Sequence, residues 1–553
     1  MFSSKKSFSS KRKETWIKTI FGSSAVTSII ILSLIIAFLI KEGIGFFGQN
    51  KSELDLFRKS GMEFSSLITG QHDSQTLIYR YLENILANES KYAESMEPDS
   101  SEIISAQDRN KKLLEFSRNF QDIKEILLEY EKEIVEMAAE TKEFILIQNL
   151  IKELRLIARK HKLTEEDFSI SMDEIDKRKK FSSREIEKWS NYFFRQGFED
   201  EAKSLSALLI NYDTSLAPFY YYDRTTEIVE SYSITYQPLI RKQNQEFEEI
   251  FKNFNPKFSL EKSVEDFRKV KIAFDEYLNT TELFDKKIKA WNPEKPYPLA
   301  DAFSSFFLGR DWITNSARQD WYGVLPLLSG SLLITLIALL LAVPFGLGSA
   351  IYVSQVANTK EKSLIKPAIE LIASIPSILI GFFGISMLGG WITVFADERL
   401  NSLTAGCLLA FMAVPTIFSL AEDALNNVSL RLREASFALG ATKLQTCLRV
   451  VIPSALSGMI SAVLLGFGRV IGETMVVLLC AGNRIAIPDF TEGFSVLAEP
   501  VHTMTGIIAQ EMGEVEYESI HYRALFMVGI VLFLITLGIN FFAQNLTHKI
   551  QNK

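Results

Sequence analysis

Two stretches of the chain are built of long apolar runs, and a long polar stretch, about 41–320, separates them. The first run, Ile20 to Ile40, carries no charge. It matches the roughly 20 residues a helix needs to cross a hydrocarbon core about 30 Å thick. Five more runs follow at about 325–353, 367–395, 402–421, 455–480 and 524–543, so six membrane helices are predicted. The polar stretch has a helical period of its own. Phe116, Phe120, Ile123, Leu127, Tyr130, Ile134, Met137 and Phe144 recur at spacings of three and four, interrupted by Thr141, which is a stripe for packing on another helix. Strand alternation is not evident there. Gly197 is the only glycine between 71 and 308, and Pro218, Pro238, Pro256, Pro293, Pro296 and Pro298 mark helix ends or loops. The expected fold class is all-α, a polytopic membrane protein with a helical bundle or long hairpins inserted between its first two spans. The aromatic string Phe219, Tyr220, Tyr221 and Tyr222 reads as a buried cluster in preference to a docking patch.

Charge gives these spans a direction. Lys5, Lys6, Lys11, Arg12, Lys13 and Lys18 precede the first run, which by the positive-inside rule keeps that end in the cytoplasm. A cleaved signal peptide is the alternative; the run is long for one, and no small-x-small site follows before Lys41. Lys360, Lys362 and Lys366 lie after the second span, and Arg431, Arg433, Lys443 and Arg449 after the fourth, so both loops are expected in the cytoplasm. The loop 481–523 is instead acidic, with Asp489, Glu492, Glu499, Glu511, Glu514, Glu516 and Glu518 against Arg484 and Arg523. The expected order is a basic cytoplasmic N-terminus at 1–19, a first span at 20–40, an extracytoplasmic insert at 41–320, a five-span membrane domain at 321–545 and a cytoplasmic tail at 546–553. An even number of spans puts both termini on the cytoplasmic side.

Composition adds exclusions. The chain has 553 residues, 47% of them hydrophobic, with a net charge of -7. A collagen-like, disordered or disulfide-built protein is excluded, and the acidic balance argues against nucleic acid as a partner. Cys407, Cys447 and Cys480 all lie in the apolar half and do not fix a compartment. No Walker A loop, HExxH or CxxC occurs, and His72, His161, His502, His521 and His548 are scattered. No metal is expected, and the chain itself is not expected to hydrolyse ATP.

Two features carry chemistry. In the fifth span, Gly468-Arg469-Val470-Ile471-Gly472-Glu473-Thr474 places two charges four residues apart, on one helix face, where they can pair. Each would cost about 2.5–3.5 kcal/mol at a membrane centre, so both must face protein or water. Arg469, whose guanidinium fork suits a tetrahedral oxyanion, with Glu473, is either a translocation element or a structural clamp. Gly468 and Gly472 form a small-xxx-small pair for close helix packing. The second feature is the loop 422–453, in which Arg431 to Thr442 predicts a short amphipathic surface helix stopped by Gly440.

Here a resemblance is specific. Glu434-Ala435, Gly440 six residues beyond Glu434, and Pro453 match the EAA loop of ABC importer permeases, with Ser436 in place of the usual second alanine. Within these permeases the chain resembles the PstC-type subunits of high-affinity phosphate importers. The stretches that carry the likeness are Ile375 to Gly381, Leu465 to Arg469, Gly472 to Met475, Ala481-Gly482-Asn483 and His521-Tyr522-Arg523. It covers 1 to about 45 and about 310–553 and leaves out the insert, although some such permeases carry a long insertion there. The PstA-type subunit shares the EAA loop and a Gly-Glu-Thr string and stays the nearest alternative.

The resemblance implies an ATP-driven importer of inorganic phosphate. It implies a PstA-type permease partner in a heterodimer, an ABC ATPase dimer that uses ATP and Mg, an extracytoplasmic phosphate-binding protein, and a link to a phosphate-sensing kinase system. No cofactor is expected on this chain. Glu434, Ala435, Ser436, Gly440, Ala441 and Pro453 would then couple to the ATPase, and Arg469, Glu473, Thr474 and Ser377 would line the substrate pathway. Pro344 and Pro376 are candidate bend points in the second and third spans. The competing class is a membrane receptor or scaffold whose outer domain senses a ligand. Deleting about 60–300 would abolish the output of a receptor, whereas changing Glu434 or Gly440 would uncouple a permease.

Overall fold

A computed structural model describes residues 4–94, 101–161, 190–203, 224–253, 258, 260–316, 318–394 and 398–551. The chain forms two compact units. One holds the N-terminal residues to Lys51, Pro298–Ser316 and the chain from Asp320 onward; the other holds Ser52–Tyr297 with Ala317–Gln319.

The first unit contains the membrane helices. Five helices among the described residues are long and apolar enough to cross a membrane: Phe21–Lys59, Leu325–Val356, Ser402–Asn426, Lys443–Ile471 and Ile520–Phe542. A sixth crossing is available only as a broken pair, Thr359–Ala373 and Ser377–Ile392, bent by 91°. The third span is therefore not the single helix that 367–395 predicts. The break has a local cause: Pro376 holds an extended backbone (φ -58°, ψ 135°) and starts the next helix, which the residue before a proline cannot enter smoothly. Pro344 does not have this effect, since the helix α8, Leu325–Ile351, runs through it. From Phe21 to Ile40 the first helix exposes its apolar side chains, Ile29 by 64% and Leu34 by 63%, as suits a helix whose solvent is lipid. Farther along it meets the last helix, where Phe38 stands edge-on to Phe526 at 5.6 Å and Gly43 admits Ile530.

The boundary of this unit departs from the one expected at 320. Helix α7, Leu299–Phe307, belongs to the membrane unit because Phe303 stacks on Phe47 at 3.9 Å and the buried Phe306 packs against Phe46 at 5.2 Å. A two-residue antiparallel pair follows, β1 (Trp312–Ile313) with β2 (Trp321–Tyr322), a small exception to the all-α expectation. Aromatic and β-branched residues favour this pairing.

In the second unit every named element among the described residues is a helix. These are α2 (Met62–Glu94), α3 (Ser101–His161), α4 (Thr225–Ser231), α5 (Gln237–Asn253) and α6 (Glu261–Ala290), with a π turn at Tyr232–Tyr236. Of the predicted stripe, Ile123, Leu127, Ile134 and Met137 are buried and Tyr130 and Phe144 are half-buried. Thr141 is buried too, because its hydroxyl donates to the Met137 carbonyl at 2.9 Å and needs no water. The side chains of Phe116 and Phe120, and the string Phe219 to Tyr222, lie outside the described residues. The core of the unit joins Ile78, Leu82 and Ile85 to Phe247, Val270, Phe274 and Tyr277.

Candidate functional site: a broken fifth span and the loop before it

The fifth span is interrupted where its charges lie. Helix α15, Ile452–Ile471, ends on Gly472, and a separate short helix α16, Met475–Cys480, begins after Thr474. Glu473 therefore does not continue the helix that carries Arg469, and the two do not form an ion pair. This corrects the shared-face expectation of four-residue spacing. The carboxylate of Glu473 turns forward and accepts from the Met475 N–H at 3.2 Å, satisfying a donor at the start of the next helix. Its carbonyl accepts from the Thr505 hydroxyl at 2.8 Å. Thr474, at the cap position, makes no side-chain cap bond. Arg469 is exposed and reaches Thr416 Oγ1 at 3.3 Å. Its guanidinium keeps most of its five donors for another acceptor.

The helix that carries Ser377, Ser377–Phe383, packs beside α16. A Cβ on Gly381 would stand 2.5 Å from Leu479 Cδ1, and the Cys480 thiol donates to the Gly381 carbonyl at 3.4 Å. Ser377 itself is half-buried at the start of its helix. The expected close packing at Gly468 and Gly472 is absent among the described residues. Nothing lies within 4 Å of a Cβ built on Gly468, and Gly472 meets only the Gly468 carbonyl. Gly466 and Gly458 do that work on other faces of α15, admitting Ile417 at 2.6 Å and Ala424 at 2.5 Å.

Sequence reasoning passed over Thr416 and Thr505, and set His502 aside with the other scattered histidines. An intramembrane threonine beside a proline was the available signal for Thr416. His502 is 2% exposed; its Nδ1 accepts from the Thr503 N–H at 2.9 Å, which leaves Nε2 to donate to Gln510 Oε1 at 3.1 Å. Burial holds this imidazole below the ordinary histidine range, with Gln510 and Glu511 acting in the opposite direction.

The loop 422–453 folds as a helix, α13 (Leu430–Ala438), followed by a turn and the one-turn helix Lys443–Thr446. Gly440 ends α13 with φ +83°, a conformation that favours glycine, and its N–H donates to the Phe437 carbonyl at 2.9 Å. Thr442 then starts the next helix with a reciprocal capping box to Gln445. A π turn at Cys447–Val451 leads into α15, whose first turn holds Pro453, so the segment from Lys443 runs directly into the fifth span. The amphipathic expectation does not hold. Leu430, Leu432, Phe437 and Leu439 are all exposed, the last by 90%, together with Glu434 and Ala435. Ser436 is the exception: it is buried, and its hydroxyl hydrogen-bonds Thr446 Oγ1 at 2.9 Å, so it fastens the helix instead of presenting itself to a partner. Ala441 is half-buried, and its N–H donates to the Ser436 carbonyl at 3.2 Å.

Residues 342–552 match the profile of the binding-protein-dependent transport system inner membrane components. A probable ABC transporter permease of Bacillus subtilis, YqgH, is 36% identical over 217 residues, which cover 39% of this chain and 68% of that one. The phosphate transport system permease PstC of Xylella fastidiosa is 31% identical over 270 residues, 45% of this chain and 80% of the relative. The chain belongs to the inner-membrane permeases of binding-protein-dependent ABC transporters. It is accordingly a multi-pass inner-membrane transport subunit and not itself an enzyme, and membership implies an ATPase and a solute-binding protein as separate partners. Among solved structures, the MetNI methionine ABC transporter matches 41% of this chain and 94% of its own at 21% identity, with a TM-score of 0.31. In this permease the broken fifth span and the exposed helix α13 fall inside the matched segment, and the unit Ser52–Tyr297 falls outside it.

Proposed function

We propose that this permease imports inorganic phosphate as one half of a heterodimeric pathway, with a PstA-type partner beside it, an ABC ATPase dimer at its coupling helix and a phosphate-binding protein at its other face. The observation that carries the reading is the 31% identity to a phosphate transport permease over 80% of that relative. The loop charges support a topology with both termini and α13 in the cytoplasm and the unit Ser52–Tyr297 outside it. The exposed leucines and Phe437 of α13, with Glu434 among them, are suited to a groove on an ATPase. Direction would come from ATP binding that favours one access state over the other.

Arg469 is the pathway cation in this reading. It stands on the last turn of α15 beside the break, with a single bond to Thr416, and a phosphate oxyanion can take its free donors. Glu473 and Thr474 shape the break, and Ser377 offers a hydroxyl from the neighbouring short helix. Labelled phosphate uptake in cells lacking their own importer tests the assignment. Uptake should be competed by arsenate and not by sulfate. Arg469→Gln should lower it by about 10-fold or more, the loss of one charge-assisted contact, while the complex still assembles. Sulfate competition would overturn the substrate, and normal uptake by Arg469→Gln would remove the pathway role.

A further inference from the structure

Glu422 takes no part in the pathway described above, yet its carboxylate is buried, with 5% exposure. It sits near the end of Ser402–Asn426, and one oxygen pairs with Lys366 Nζ of the helix Thr359–Ala373 at 2.7 Å. The other oxygen accepts from Asn426 Nδ2 at 2.9 Å. Asn426 Oδ1 accepts from the hydroxyl of the buried Ser354 at 3.0 Å, and that hydroxyl in turn accepts from Gln355 Nε2. Gln355 Oε1 accepts from Arg433 Nη1 at 3.1 Å, and Arg433 Nη2 donates to the Leu425 carbonyl at 2.7 Å. Lys362 Nζ closes the group on the Ser354 carbonyl at 3.1 Å. An unbroken polar chain thus joins the arm of the bent third span, the end of the second, the end of the fourth, and Arg433 on the coupling helix.

The two ends of this chain are what give it meaning. At one end Arg433 stands next to Glu434 on α13. At the other, Thr359–Ala373 leads to the 91° break before Ser377. A buried carboxylate tolerates loss of its counter-charge poorly, so Thr359–Ala373 does not slide along Ser402–Asn426 without Glu422 losing its partner. A π turn at Tyr352–Val356 sets Ser354 and Gln355 in the chain, and such turns are frequent at functional sites.

We propose that this chain is the link by which movement of the coupling helix reaches the bend of the third span, with Glu422, Lys366 and Arg433 as positioning residues. The inference rests on the reading of α13 as the ATPase-docking helix. The complete importer in proteoliposomes, with phosphate uptake and ATP hydrolysis measured side by side, tests it. Glu422→Gln should leave the ATPase bound and raise the ATP hydrolysed per phosphate imported by about 5-fold or more, the lower end of ordinary coupling energies. Arg433→Gln, at the far end, should do the same, and the exchange of Lys366→Glu with Glu422→Lys should move the ratio back toward that of the parent. Where Glu422→Gln fails to assemble, Gln355→Ala interrupts the same chain at a half-buried point and is expected to raise the ratio equally. An unchanged ratio in these variants, or a charge exchange that restores nothing, overturns the proposal while leaving the importer reading intact. An unmodified importer whose hydrolysis does not respond to phosphate and its binding protein would instead defeat the importer reading itself.

Discussion

In the membrane unit, helices approach one another across glycine. Gly346 and Gly466 both admit Ile417, Gly406 admits Ile337, and Gly458 admits Ala424, each so closely that a Cβ would lie under 3 Å from its neighbour. In the unit Ser52–Tyr297, among the described residues, Gly61 alone makes such an approach, to Ile228, and the core is made of Phe247, Phe267, Phe274 and Tyr277 against isoleucine and leucine. The difference follows from the solvent. Lipid supplies no hydrophobic force between helices, so surface fit and close backbone approach must hold them together; water supplies that force, and large apolar side chains collect it. The same contrast accounts for the exposed isoleucines of the first helix, which would be a liability in water.

Three tests would break or sharpen this contrast. The largest effect is expected from Phe247→Ala, which removes a fully buried ring from the polar unit and should cost about 3–5 kcal/mol, read as protease sensitivity within 52–297 in the full-length protein. A cost below about 1 kcal/mol would mean that unit is not held by its aromatic core. Next comes Gly466→Leu in α15, where the added side chain meets Ile417 and should destabilise the membrane unit by about 1–3 kcal/mol in detergent, while Gly468→Leu, facing open space, should leave this subunit's own melting unchanged. Equal effects at the two positions would undo the account of packing by close approach.

The smallest effect concerns His72 of the polar unit. Its imidazole is buried at 3.4 Å from Glu131, and desolvation holds it below the ordinary range, against the pull of Glu131 and Asp73 and with the help of Lys124. A lowered folded value means the unfolded chain takes up its proton first. Stability from this group is therefore full above about pH 6.5 and is lost as pH falls from there toward the folded value. His72→Gln should flatten that part of the melting curve against pH, and an unaltered curve would remove the histidine from the account.

The spans and the helical period of the insert were legible because they depend on local pattern. The breaks were not. Four-residue spacing aligns Arg469 with Glu473 on paper, but Gly472 ends the helix and Glu473 spends its carboxylate on the Met475 N–H, a competition that spacing alone does not weigh. The packing glycines were misplaced for a related reason. Gly468 and Gly472 satisfy the small-residue rule, yet which face of α15 meets the fourth span is set by tertiary contacts, and these select Gly458 and Gly466. The boundary near 298 was hidden similarly, since Phe303 and Phe306 declare themselves only when Phe46 and Phe47 arrive from the far end of the sequence. Gly440 stops the helix where its residue type predicts, whereas the burial of Ser436 is explained by a neighbour, Thr446, that no motif names.

The wide turn at Tyr352–Val356 carries a consequence of register. A helix advances by about 100° per residue, so one residue absorbed in a looser coil reorients everything after it by that angle without lengthening the rod by a full turn. Were that stretch tightened into an ordinary α-turn, the amide of Gln355 would swing away from Arg433 while the hydrophobic path behind it stayed in phase. The bond between Gln355 and Arg433 is thus set by the register of this one turn, although the two residues are 78 positions apart in the chain.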